Sequence, residues 1–276
     1  MPTKSRLSPA MVLVILAASA AVADEKPKPN AWTGGVSEAE FKAMHQLASG
    51  AVPELHGTAI DLAGGKAYLS LPPNAKAPLP AVLVVHEWWG LNDHVKHWAD
   101  RLATSGYAAL AVDLYAGKVA ATPDEAMAAM KAVDPEQARA MLLAGHAFLK
   151  QDARVKAAKR GSIGWCFGGA QSLQLALAAP DLDACVMYYG HPVLDSKELS
   201  VIKAPLLGIF GNLDASIPPA TVDEFDKALT AGGVEHEILR YDAVHAFANP
   251  SNPRYDEKAA GDAWEKVQRF FAANLR

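Results

Sequence analysis

The apolar positions of this chain fall into short unbroken blocks separated by stretches of helical spacing, an alternation that continues to the C-terminus. Ala81-Val82-Leu83-Val84-Val85 is the clearest block. Five apolar residues in a row, with no polar alternation, describe a strand covered on both faces. Before it, Ala67 to Leu71 reads as a strand and Pro72 to Pro80 as a Pro-rich turn. After it the pattern predicts a helix from Asp93 to Ser105 and a strand from Ala108 to Val112. Pro123 to Lys150 has helical spacing broken near Asp134-Pro135, hence two helices, whose Met residues read as core packing. The remainder predicts a strand through Gly161 to Gly164, a helix from Ala170 to Ala179, and strands from Ala184 to Tyr189 and Leu206 to Phe210. A helix from Pro219 to Thr230, a strand from Glu235 to Tyr241 and a final helix from Asp256 to Ala273 complete it. Strands alternating with helices through short connections imply an α/β fold, a mostly parallel sheet covered by helices on both faces. No repeat and no second-domain boundary interrupts residues 57–276, and no separate lid domain is expected.

The N-terminus follows a different pattern. Lys4 and Arg6 precede an apolar run from Met11 to about Val22, which ends in Ala21-Val22-Ala23 before Asp24. A basic segment, a hydrophobic segment and a small-x-small site make residues 1–23 a secretory signal peptide, cleaved after Ala23. The run is shorter than the roughly 20 residues of a spanning helix, so no stable membrane insertion is expected after cleavage, and the mature protein is expected to be periplasmic or secreted. Residues 24–56 read as a Pro- and Lys-rich lead and a short helix that Ser37-Glu38-Ala39-Glu40 opens as a capping box, running to about Leu47.

Hydrophobic content of 51% and charged content of 20% indicate a substantial core. A formal net charge of −4, with no Lys/Arg block in the mature part, argues against nucleic acid as a partner. Export makes a disulfide between the chain's 2 cysteines, Cys166 and Cys185, the first structural question. Cys185 begins one strand and Cys166 lies past the end of another. Parallel neighbours would separate the sulfurs by about 15 Å, whereas a bridge needs Cα atoms within about 7 Å. A free Cys166 and a buried Cys185 are expected.

Gly164-Trp165-Cys166-Phe167-Gly168-Gly169 lies where a strand turns into a helix. A reactive side chain flanked by small residues at such a corner is the nucleophile-elbow pattern, with Cys in the place of Ser. Gly164 and Gly168 supply the small neighbours, and the following helix points its N-terminal N–H groups toward the sulfur, an environment that favours a thiolate. Asp214 follows the Leu206 to Phe210 strand and His245 follows the Glu235 to Tyr241 strand. Nucleophile, acid and His, each just past a strand end, is the order of the α/β-hydrolase triad. His236 lies inside a strand pattern and reads as a packed or surface residue, His86 as a support for its loop, and Asp113 as a structural hydrogen-bonding group. His94 and His97 lack an acidic partner for a metal site.

Together, His86-Glu87-Trp88-Trp89-Gly90-Leu91-Asn92, Asp113-Leu114-Tyr115, the Cys166 motif, Tyr188-Tyr189-Gly190, Gly211-Asn212-Leu213-Asp214 and His245-Ala246-Phe247 resemble the dienelactone hydrolase (carboxymethylenebutenolidase) family. The resemblance runs from about Lys66 to the C-terminus. It implies an α/β-hydrolase without a lid, a catalytic set of Cys166, Asp214 and His245, and a role for Glu87 in influencing the resting nucleophile. It implies no metal and no organic cofactor. The expected oxyanion donors are the backbone N–H groups of Phe167 and Trp88, with Glu87 hydrogen-bonded to Cys166 at rest. Trp89, Tyr115, Tyr189, His191, Phe247 and Asn249 are the expected pocket residues. In well-known members arginines hold the substrate carboxylate, one of them shortly after the catalytic His; here Asn249 occupies that neighbourhood, and Lys131 and Arg139 are the nearest cations. The expected activity is hydrolysis of a small ester or lactone through a thioacyl-enzyme. The alternatives are a carboxymethylenebutenolidase acting on dienelactone itself and a non-catalytic periplasmic binding or accessory protein. The chain has no CxxC to support a thiol redox role.

Overall fold

The computed structural model describes residues 54–276 together with Met1, Ala39 and Lys42. The expected signal peptide lies outside the described residues, as does nearly all of the expected lead and short helix.

The elements run in the order β1 (Thr58–Leu62), β2 (Gly65–Ser70), β3 (Ala81–Val85), α1 (Asp93–Thr104), β4 (Ala108–Val112), α2 (Pro123–Lys131), α3 (Pro135–Gln151) and β5 (Arg160–Trp165). They continue with α4 (Phe167–Ala178), β6 (Ala184–Tyr188), α5 (Ser196–Leu199), β7 (Leu206–Gly211), α6 (Pro219–Gly232), β8 (His236–Tyr241) and α7 (Glu257–Leu275). The eight strands form one sheet in the order β1-β2-β4-β3-β5-β6-β7-β8. The β1–β2 and β2–β4 pairings are antiparallel and the rest parallel. With helices on both faces, this is an α/β-hydrolase fold.

The unbroken apolar runs are explained by the two layers. Val82 and Val84 of β3 face one core with Trp98 and Leu102 of α1 and Trp264 and Phe271 of α7. Ala81, Leu83 and Val85 face the other, with Leu142 of α3, Leu173 of α4 and Phe225 of α6. Every residue of β3 and β4 is buried, so neither face can carry a polar position. Helix starts follow their caps: Asn92 accepts from the Val95 N–H ahead of α1, and Asp134 accepts from Glu136 and Gln137 ahead of α3, where Pro135 sets the first turn.

Two elements escape the sequence pattern. β1 is the sheet's edge, mostly exposed, so it has no apolar run to announce it. Ala63 and Gly64, both at positive φ, turn it into β2. α5 is only 4 residues long. The helix after the elbow begins at Phe167 rather than Ala170, so Cys166 is itself its N-cap residue. Glycines obscured that start because Phe167-Gly168-Gly169 has poor helix propensity. Packing overrides it: a Cβ at Gly168 would lie 2.3 Å from the Val85 carbonyl oxygen, and one at Gly164 would lie 2.0 Å from the carbonyl oxygen of Gly168. Cys166 and Cys185 are both free and buried. Cys185 pairs with Ser162, four residues before Cys166, which places it about 13 Å down the sheet.

These contacts separate two glycines that sequence alone would treat alike. Gly164→Ala is expected to destabilise the protein by several kcal/mol, because the obstruction is backbone. Gly261→Ala on α7, where the added Cβ meets nothing within 4 Å, is expected to stabilise by about 1 kcal/mol. Urea unfolding of the two variants measures both signs.

Candidate active site

Cys166 sits between the last residue of β5 and the first of α4 with φ 55° and ψ −119°. A non-glycine residue holds such a conformation only where its surroundings impose it, at a cost of about 1–3 kcal/mol. Here the Cys166 N–H donates to the Tyr188 carbonyl at 3.0 Å, while its own carbonyl accepts from the N–H groups of Gly169 and Ala170 at 3.0 and 3.2 Å. The corner is thus fixed to β6 on one side and to its own helix on the other.

His245 lies in the connection between β8 and α7, and Asp214 in that between β7 and α6. Nδ1 of His245 and Oδ2 of Asp214 are 2.6 Å apart, with both side chains almost fully buried. The other carboxylate oxygen, Oδ1, accepts from the Ser216 N–H at 2.8 Å, the Ser216 hydroxyl at 2.6 Å and the Ile217 N–H at 3.1 Å. Burial pushes the Asp214 carboxyl up, but His245 and these donors outweigh it and hold it below the usual range. At His245 burial opposes charge, and Asp214, together with Cys166 through both charge and a hydrogen bond, raises the imidazole well above its ordinary value. With Nδ1 committed to Asp214, Nε2 is the nitrogen left for the sulfur. Sulfur, imidazole and carboxylate therefore form one chain of contacts, able to pass a proton between Cys166 and a bound molecule while Asp214 stabilises the charged ring.

Sequence reasoning missed Ser216, whose hydroxyl also lies 3.0 Å from Nδ1 of His245. The signal was present in Asp214-Ala215-Ser216: an Asp commonly accepts from the backbone two residues on.

The Oε2 of Glu87 accepts from the Asn249 amide, and its buried Oε1 has no hydrogen-bond partner among the described residues. Asn249 is held in turn by Ser251, whose N–H and hydroxyl donate to its Oδ1 at 2.8 and 2.6 Å. Burial pushes Glu87 up to about 7, against the smaller pull of His245, Asn249 and Tyr189. His86 accepts from the Leu114 N–H at Nε2, 3.0 Å, leaving Nδ1–H to donate to its neighbour's carbonyl at 2.6 Å. Burial lowers its pKa. It is a neutral brace for the β3–α1 loop. Asp113 accepts from the N–H groups of Tyr115 and Gly117 and ties down the loop after β4.

A cleft of about 460 Å³ opens over the sulfur, with Cys166, Phe167 and His245 at its base. Tyr189 and His191 line it, as do Met130, Val133 and Arg139 of the α2–α3 region. Arg139 is the only Lys or Arg among the lining residues. Burial, then the charge of His245, lowers His191 to about 4. Four expected pocket residues do not line this cleft. Trp89 packs on Trp88, and Phe247 packs between Tyr189 and Tyr241. Asn249 is taken by Glu87. Tyr115 borders a second cavity of about 450 Å³, which shares Val133 with the first. Large rings at strand ends are drawn into the core, and the pattern does not say on which side of the wall they finish. Phe167 opens α4, so its N–H has no acceptor within the helix, and Trp88 lies three residues past the end of β3.

His236 bonds to the Val234 carbonyl and to Asp226, away from the cleft. Among the described residues no cluster of His, Cys, Asp and Glu could hold a metal ion, and no helix is long and apolar enough to cross a membrane.

The sequence profile of the dienelactone hydrolase family matches residues 66–275. A candidate carboxymethylenebutenolidase of Methylorubrum extorquens is 34% identical over 220 residues, covering 74% of this chain and 75% of its own. Among solved structures, a candidate dienelactone hydrolase of Klebsiella pneumoniae superposes with a TM-score of 0.69 at 32% identity, covering 79% of this chain and 97% of its own. A dienelactone hydrolase-like promiscuous phosphotriesterase from metagenomic libraries gives 0.72 at 26% identity, over 80% and 99%. The chain belongs to the dienelactone hydrolase family, and with it to the hydrolases of esters or lactones.

Proposed function

We propose that this protein hydrolyses a small ester or lactone through Cys166, His245 and Asp214. The observation that carries the reading is the chain of contacts from a sulfur on a strained corner to a buried imidazole and on to a carboxylate that accepts three further hydrogen bonds. The sulfur attacks the carbonyl carbon, the C–S bond forms and the π pair moves to oxygen, where the N–H groups of Phe167 and Trp88 receive it. Collapse breaks the bond to the leaving oxygen, which takes the proton from His245. The neutral ring then draws a proton from water, hydroxide attacks the thioester, and the departing thiolate restores the starting pair. The net reaction is ester plus water to acid plus alcohol, joined in one product where the substrate is a lactone.

Dienelactone is one member of that substrate class, and the curated relatives' name supports it. The cleft itself offers Arg139 as a cation from α3, in place of a cation at Asn249. Export belongs to the same proposal. Residues 1–23 act as a signal peptide, so that the protein works in the periplasm or outside the cell; N-terminal sequencing of the mature protein is expected to begin at Asp24, and an intact Met1 would contradict it.

Mass spectrometry after brief exposure to p-nitrophenyl acetate is expected to find one acetyl group on Cys166. Cys166→Ala is expected to reduce hydrolysis to background and Asp214→Asn to lower kcat by at least roughly 10²-fold. Background-level activity in the wild type would favour a binding protein, and full activity without the thiol would remove Cys166 as the nucleophile.

Glu87 gives a pH prediction with a definite sign. A carboxyl raised from 4.5 to about 7 on folding binds its proton more tightly in the folded chain. Its contribution therefore lowers stability as pH rises between those values, and the loss persists above them. Melting temperatures of Glu87→Gln are expected to gain on the wild type steadily from about pH 5 to pH 7; a difference that does not change with pH would contradict a neutral Glu87.

A further inference from the structure

We propose that the phenol of Tyr115 is a further catalytic residue, a side-chain hydrogen-bond donor to the oxyanion formed when Cys166 attacks a carbonyl. This rests on the reading of Cys166 as the nucleophile and adds to it a group outside the Cys, His and Asp set.

Tyr115 is 5% exposed, and its hydroxyl has no hydrogen-bond partner among the described residues. A buried hydroxyl left without a partner costs about 1–3 kcal/mol, and folded proteins seldom retain one without a use for it. Its position suggests the use. The ring stands edge-on to His86 at 4.6 Å and tilted against Phe167 at 5.5 Å. Those residues belong to the two segments that carry the Trp88 and Phe167 N–H groups, so Tyr115 sits at their seam. It is held there firmly. Its own N–H donates to Asp113 at 2.8 Å, the preceding Leu114 N–H donates to His86, and a Cβ at Gly90 would come within 3.3 Å of its ring.

The phenol also keeps its proton. Burial, then the negative charges of Cys166 and Asp113, push its pKa far above the ordinary value, so it acts as a donor throughout the working range. The ring tilts against Phe167, the residue directly after Cys166, so it borders the corner where the sulfur's charge sits. During attack that charge passes from sulfur to the carbonyl oxygen as the C–S bond forms. The phenol follows it with a hydrogen bond and transfers no proton; on collapse the pair returns to carbon and His245 supplies the proton to the leaving oxygen. A donor that meets its acceptor only in the tetrahedral state raises kcat rather than tightening substrate binding.

Tyr189 is the competing candidate. Its hydroxyl also has no hydrogen-bond partner among the described residues and it lines the cleft with Cys166, but Glu87 is the stronger charged influence on it.

The test compares the wild type with Tyr115→Phe and Tyr189→Phe. Stopped-flow acylation by p-nitrophenyl acetate is read beside inhibition by an alkyl trifluoromethyl ketone, which adds to the thiol as an oxyanion, and by the corresponding alcohol, which cannot. For Tyr115→Phe the acylation rate is expected to fall roughly 10²-fold and the ketone's advantage over the alcohol to shrink by a similar factor, with KM nearly unchanged. The ketone-to-alcohol ratio is a property of the folded molecules, so partial unfolding of the variant does not imitate the result. Acylation and ratio both within about twofold of wild type, or a loss carried by Tyr189→Phe alone, would overturn the assignment. Absence of acyl transfer to Cys166 in the wild type would instead sink the nucleophile reading itself.

Discussion

A carboxylate and an imidazole lie 2.6 Å apart, both sealed from water, and the reaction proposed for Cys166 depends on that contact. Burial alone would neutralise both groups. What keeps Asp214 charged is the number of donors it meets: the imidazole, the Ser216 hydroxyl and two backbone N–H groups. What keeps His245 charged is Asp214 in turn, with Cys166 on its other side. Glu87 supplies the contrast within the same site. It is buried to a similar degree but its side-chain partner is a neutral amide, and its pKa rises to about 7. Two carboxyls in one site thus differ in how readily they ionise because of who donates to them.

The sheet provides the second constraint. Parallel pairing of β3, β5, β6, β7 and β8 brings the C-terminal ends of these strands to one edge. Cys166, Asp214 and His245 each follow a strand, so residues far apart in sequence meet there without a dedicated domain to assemble them. The close approach of α4 to the end of β3, which leaves no room for a Cβ at Gly168, sets Phe167 beside the His86–Trp88 segment. Backbone contact at the corner and proton chemistry above it are therefore parts of one arrangement.

Much of this was legible in the sequence wherever burial was two-sided or a residue type had a single structural use. β4 matches its expected bounds, and the break between α2 and α3 falls at Asp134-Pro135 because a cap followed by proline has a clear physical meaning. The elbow and the order of Cys166, Asp214 and His245 were readable for the same reason. β1 was not, since an exposed edge strand carries no apolar run. The pocket was read poorly. Tyr189 and His191 line the cleft, yet Trp89 and Phe247 turn into the core, and Asn249 donates to Glu87. Such pairings cross 162 positions of sequence, and a one-dimensional pattern contains nothing that sets their direction.

The central claim is that His245 is held as a charged imidazolium within a buried site by Asp214. An NMR titration of ring-¹⁵N-labelled histidines, with the His245 signal assigned by its loss in His245→Gln, measures this directly. His245 is expected to remain doubly protonated through neutral pH and well above the usual histidine range, and Asp214→Asn is expected to lower its pKa sharply. An imidazole that loses its proton near 6.5 or below in the free wild-type protein would contradict the account.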